Sequence, residues 1–174
     1  MTTMLPDTGS STLLHLPVQA PAGRAAAASE PHAPQVQRLA SHAGASWVDA
    51  TSVQAWAAAG GHRVLLLAGD AVRFPEGQDV AAVLPELQRC AGTPFALGIV
   101  PADQEDAVAR RYGVQRWPSL VALCDGAYLG TLSGMHDWQP FLAQLQALLA
   151  LPASRVPGIG IPLVSAGAAS ACQA

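Results

Sequence analysis

Arg111-Tyr112-Gly113-Val114-Gln115-Arg116-Trp117-Pro118-Ser119-Leu120-Val121-Ala122-Leu123 decides how this chain of 174 residues folds. Arg110 and Arg111 sit where a helix ends, since cations complement the negative end of its dipole, and Gly113 is placed to stop it. Pro118 then stands at the start of an apolar run, where a missing N–H breaks no ladder bond. That run, 119–124, meets Asp125-Gly126, a dipeptide suited to the positive-φ turn of a hairpin. A second strand over 127–133 completes the hairpin. Asp137 is placed to cap a last helix reaching residue 151, with Trp138, Phe141, Leu142, Leu145, Leu148 and Leu149 as its apolar stripe.

Working upstream, Asp103-Gln104-Glu105-Asp106 is an acidic run suited to the first turn of the helix that Gly113 ends. Residues 95–100 and 63–68 are short continuous apolar runs, the mark of strands covered on both faces. Between them a helix over 78–91 places Val80, Val83, Leu84, Leu87 and Ala91 on one face, with a kink expected at Pro85. Trp47-Val48 reads as a brief strand after a short helix over 35–43. Thr51 is placed to cap a helix that Gly60-Gly61 stops. The order is β-α-β-α-β-α-β-β-α after a leading helix, so the fold class is α/β, a mixed sheet with helices on both faces.

That order, together with Tyr112-Gly113-Val114 and Pro118, resembles the thioredoxin fold, a three-layer α/β/α sandwich with a mixed central sheet ending in a β-hairpin and helix. The resemblance covers residues 63–149 and implies a cis peptide at Pro118. The departure from the pattern decides the chemistry. The redox Cys-x-x-Cys of thioredoxins follows the first central strand, and here that loop reads Gly69-Asp70-Ala71-Val72-Arg73-Phe74-Pro75-Glu76-Gly77. Without a thiolate there is no nucleophile for disulfide exchange, so the fold is expected to bind rather than to catalyse.

Val64-Leu65-Leu66-Leu67, the Asp70…Pro75-Glu76 loop, Leu84…Glu86-Leu87 and Gly134-Met135-His136-Asp137-Trp138 look like the hydrogenase-expression family, the HyaE/HupG/HoxO group. The resemblance implies a cytoplasmic, non-catalytic maturation chaperone for the small subunit of a membrane-bound [NiFe] hydrogenase. Its partner would be the small-subunit precursor with its twin-arginine signal peptide, held before export, with another hydrogenase maturation protein as a second candidate partner.

Composition excludes several function classes without naming one. Alanine supplies 35 of the apolar residues, while Leu, Val, Ile and Phe number 41, enough for one core. All nine basic residues are arginines, which removes a P-loop lysine and a Schiff-base lysine. The formal charge of −3 gives no reason to bind nucleic acid, and no apolar run is long enough to insert in a membrane. Cys90, Cys124 and Cys172 form no C-x-x-C, and no metal spacing and no cofactor motif is evident. The odd cysteine count and the absence of a signal-peptide pattern place the expectation in the cytoplasm. Residues 1–34, an Ala/Pro-rich extension, and 152–174 are expected to be flexible on either side of a domain over 35–151.

The candidate partner-binding residues are Asp70, Phe74, Glu76, Asp79, Trp117, Pro118 and His136. Carboxylates accept guanidinium bidentately, so Asp70, Glu76 and Asp79 suit an arginine-bearing peptide; the alternative is a solvated helix face. Trp117 and Pro118 flank the place where thioredoxins dock extended peptides, and the alternative for Trp117 is local core. Phe74 lies on the loop that replaces the redox motif. His136, near a helix start, is read first as a capping or packing residue rather than as a ligand or base. Two rival readings remain open at this point. One is a degenerate redox protein using a single thiol, Cys90 or Cys124; the other is a thioredoxin-like adaptor in an unrelated complex.

Overall fold

The computed structural model describes residues 33–41 and 44–157. The expected N-terminal extension lies almost wholly outside them, as does the tail beyond residue 157 together with Cys172. In chain order the elements are α1 (Pro34–Ala40), β1 (Ala45–Trp47), α2 (Val53–Ala58), β2 (His62–Leu67), α3 (Glu76–Cys90) and β3 (Phe95–Ile99). A 3-10 turn at Ala102–Gln104 leads into α4 (Glu105–Tyr112), and β4 (Ser119–Cys124), β5 (Ala127–Ser133) and α5 (Trp138–Leu149) follow.

The strands form one sheet in the order β1-β3-β2-β4-β5. β1 and β2 run parallel to β3, whereas β4 is antiparallel to β2 and to β5. The alternation of side chains across a strand divides the apolar run of β2 between two cores. Val64 and Leu66 join Val36, Leu84, Phe141 and Leu145 beneath α1, α3 and α5. Leu65 and Leu67 join Val53, Val108 and Tyr112 beneath α2 and α4. The outcome is the expected α/β/α sandwich.

Local signals explain most boundaries. Gly113 adopts φ +67°, the left-handed cap that ends α4. Asp125 and Gly126 take φ +49° and +82° in the hairpin turn, as the dipeptide requires. Trp117–Pro118 is cis. Three details differ from expectation. Thr51 does not cap α2: Asp49 Oδ1 accepts from the amides of Thr51 and Ser52 at 2.8 and 2.7 Å, and Ser52 Oγ accepts from the Asp49 amide in return. The Thr51 hydroxyl, followed by the Ser52 and Thr51 amides, donates to the Asp49 carboxyl and holds it below its ordinary value, at about 2. Trp138, read as part of the α5 stripe, is 37% exposed because it opens the helix ahead of the residues that reach the sheet. Finally, Ser154, compositionally part of the tail, bridges to β5, its amide donating to the Tyr128 carbonyl at 2.7 Å. An edge strand leaves such carbonyls open to a passing backbone.

Candidate functional site

The register of the sheet defines two ends. Leu67 of β2 faces Ser119 of β4, and Ser119 faces Ser133 of β5, so the loop after β2, Pro118 and the turn after β5 gather at one end. His62 faces Phe95 and Cys124, so the start of β3 and the hairpin turn lie at the other. All seven candidate residues fall at or beside the first end.

At its centre is a side chain that the sequence reading treated only as a helix-terminal acid. Glu105, the first residue of α4, is 4% exposed. It accepts the Gly69 amide at 3.1 and 2.9 Å through its two oxygens, and the Trp117 indole N–H at 2.7 Å through Oε2. Burial pushes its carboxyl up to about 7, against the pull of these donors and of the Ala68 backbone; neighbouring Asp106 adds to the rise. One signal could have revealed it. Glu105, Val108, Ala109 and Tyr112 recur at helical spacing and all four are buried, so Glu105 lies on the apolar face of α4.

Above Glu105 the aromatic candidates meet. Phe74 and Trp117 stack with centroids 5.9 Å apart and planes at 26°, and both are half-buried. The Arg73 guanidinium lies 5.4 Å from the Phe74 centroid, within cation–π range. Gly69, at φ +83°, is what permits this approach. A Cβ there would stand 2.7 Å from Phe74 Cδ2 and 3.0 Å from Trp117 Cβ.

The acidic candidates divide. Asp70 is exposed, and its Oδ1 accepts from the amides of Val72 and Arg73 at 3.0 and 2.8 Å, which shapes the turn carrying Phe74. Glu76 and Asp79 stand exposed on the first turn of α3, three residues apart and so on one helix face. Further along α3, Glu86 pairs with Arg89. Pro118 is itself buried, and its carbonyl accepts the Gly134 amide at 2.8 Å. His136 is held by a 3.0 Å hydrogen bond between Nε2 and the Ser133 carbonyl, and it meets Phe141 edge-on at 5.5 Å. Its ring packs the junction between hairpin and α5. Met135 and Trp138, on either side of it in sequence, are 40% and 37% exposed.

The thiols of the described residues lie at the other end. Cys90 closes α3 and Cys124 closes β4, and both are free. Burial, followed by the charge of Asp125, raises the Cys124 thiol, which donates to Asp125 Oδ2 at 3.6 Å. A raised thiol is a poor thiolate source. Among the described residues, no three His, Cys, Asp or Glu side chains converge as a metal site, and no helix is long and apolar enough to cross a membrane.

Residues 35–141 match the model of the family described as hydrogenase-1 expression protein HyaE. The chain is 48% identical over 142 residues to the hydrogenase expression/formation protein HoxO of Cupriavidus necator, covering 80% of this chain and 88% of that one. It is 38% identical over 128 residues to the HoxO protein of Azotobacter vinelandii, covering 74% and 86% of the two chains. A thioredoxin from Halobacterium salinarum superposes with a TM-score of 0.50 at 20% identity, over 62% of this chain and 93% of that one, a likeness of fold alone.

Proposed function

This chain belongs to the HyaE family of hydrogenase expression proteins, and we propose that it acts in hydrogenase maturation as a non-catalytic chaperone. Its client is the precursor of the small subunit of a membrane-bound [NiFe] hydrogenase. It holds that precursor by the twin-arginine signal peptide, on the cytoplasmic side, before export.

The observation that carries this reading is the content of the loop after β2. Where a thioredoxin keeps its thiols, the loop offers Phe74 stacked on Trp117, beside the cis peptide at Pro118, with exposed Asp70, Glu76 and Asp79 alongside. An aromatic face next to carboxylates is complementary to a peptide that carries arginines followed by an apolar stretch. The guanidinium groups pair with the carboxylates, and the apolar stretch covers Phe74, Trp117 and Met135. The single-thiol redox reading is disfavoured because Cys90 and Cys124 stand at the opposite end of the sheet, and Cys124 is held protonated.

The test is a pull-down of the small-subunit precursor by the full chain, with and without the signal peptide. Capture should require the peptide, and replacing Asp70, Glu76 and Asp79 by Asn or Gln should weaken it and flatten its salt dependence. Capture that ignores the peptide, or is unchanged in the neutralised variant, contradicts the reading.

A further inference from the structure

A docking surface made of loop residues loses affinity to the entropy of ordering them, unless something inside the protein orders them beforehand. Here the ordering element is visible. Three segments distant in sequence converge on one buried carboxyl: the turn at Gly69 after β2, the Trp117 indole before β4, and Glu105 itself at the start of α4. The two oxygens of Glu105 satisfy the Gly69 amide and the indole N–H together, and the indole is the platform on which Phe74 stacks. Helix termini leave amides in need of partners, and surface acids near them are ordinary. Glu105 is different, because its acceptors point away from its own helix into the loop that carries the candidate contacts.

We propose that Glu105 is the positioning residue of this surface, tying the Trp117 indole and the Gly69 turn into one rigid unit before any partner arrives. Glu105 touches no partner itself and acts through Trp117 and the Phe74 turn. What the unit is for rests on the docking function proposed above, but its existence in the free protein does not.

The same bonds make the unit responsive to pH. Of the charged groups on the surrounding elements, Asp106 raises the carboxyl from its own helix. Asp70 and Arg73 on the β2 loop are committed to the turn and to the Phe74 face, and Arg116 stands exposed beside Trp117. The Trp117 indole N–H reports the protonation of its acceptor, because a charged acceptor draws the proton more strongly than a neutral one.

The experiment follows the Trp117 indole N–H resonance of the free, full-length protein by NMR from pH 5.5 to 8.5, in wild type, Glu105→Gln and Trp117→Phe. The Trp117→Phe spectrum assigns the signal. In wild type the resonance should be protected from solvent exchange and should titrate with a midpoint near 7, the value to which burial raises Glu105. In Glu105→Gln, with its fold checked by circular dichroism, the titration should vanish and exchange should quicken about tenfold or more. An indole that exchanges like an exposed one in wild type, or that keeps its titration in Glu105→Gln, overturns the proposal. A parallel measurement of signal-peptide affinity should find it about tenfold weaker in Glu105→Gln. If wild type binds no such peptide while the indole behaves as described, the docking function falls and the positioning role stands.

Discussion

The two ends of the sheet contrast in what they carry. At one end, Gly69, Phe74, Glu105 and Trp117 form a closed set of contacts with no thiol among them. At the other, Cys90 and Cys124 terminate α3 and β4, each with its sulfur directed at a neighbouring carboxylate, Glu86 and Asp125. A hollow of about 370 Å³ at that end is lined by Gln54, Arg111, Tyr112, Asp125 and Tyr128, with no cysteine in its wall. In a thioredoxin the nucleophile and the peptide-docking position share one end. In this chain Pro118 and the buried Glu105 share one end, while the described thiols, Cys90 and Cys124, lie at the other. The proposed docking role thus rests on the end of the sheet that is organised around the Glu105 carboxyl.

The largest effect that distinguishes the two ends concerns stability against pH. Glu105 has an ordinary value of 4.5 and is raised to about 7 in the fold, so the native state binds its proton more tightly than the unfolded chain does. Its contribution is full below the ordinary value and is lost as pH climbs through 7, by on the order of 3 kcal/mol. Urea midpoints at pH 5 and pH 8 should differ accordingly, and Glu105→Gln should remove that difference. A second step tests the packing of the same end. Gly69→Ala forces a Cβ onto Phe74 and Trp117 at a positive φ, and should cost about 2 kcal/mol in denaturant unfolding. Gly92, near the thiol end, also has positive φ but open space around it, so Gly92→Ala should cost only about 1 kcal/mol.

Smaller effects sharpen the contrast. Phe74→Ala should weaken precursor capture about tenfold, whereas Cys90→Ser and Cys124→Ser together should leave it unchanged. Loss of capture in the cysteine double variant would reverse the assignment of the two ends. Smallest of all, alkylation of Cys124 at neutral pH should be slow, and Asp125→Asn should quicken it by removing the charge that helps keep the thiol protonated. A rate indifferent to Asp125 would show that burial alone governs that sulfur.

The fold was legible because its signals are local. Tyr112-Gly113-Val114 before Pro118, Asp125-Gly126 between two apolar runs, and the alternating periods of β2 and α3 each report a short-range geometric need. The site was legible only in outline. Phe74, Trp117 and the acids of the β2 loop could be named, but Glu105 sits within Asp103-Gln104-Glu105-Asp106 and reads as one more solvated acid unless its helical spacing with Val108, Ala109 and Tyr112 is weighed. Its burial depends on Gly69, 36 residues earlier, and on Trp117, 12 residues later, and no local pattern records that meeting. His136 shows the reverse. Its place near a helix start suggests a capping or packing residue, and its bond to Ser133 and its packing on Phe141 tie it into the framework.

An amide chemical-shift map of the full-length protein, titrated with the twin-arginine signal peptide of the small-subunit precursor, tests the central claim most directly. Shifts should gather at Gly69–Asp79, Trp117 and Gly134–Trp138, at the end that holds Glu105. Shifts that gather instead around Cys90–Phe95 and Cys124–Tyr128 would contradict it.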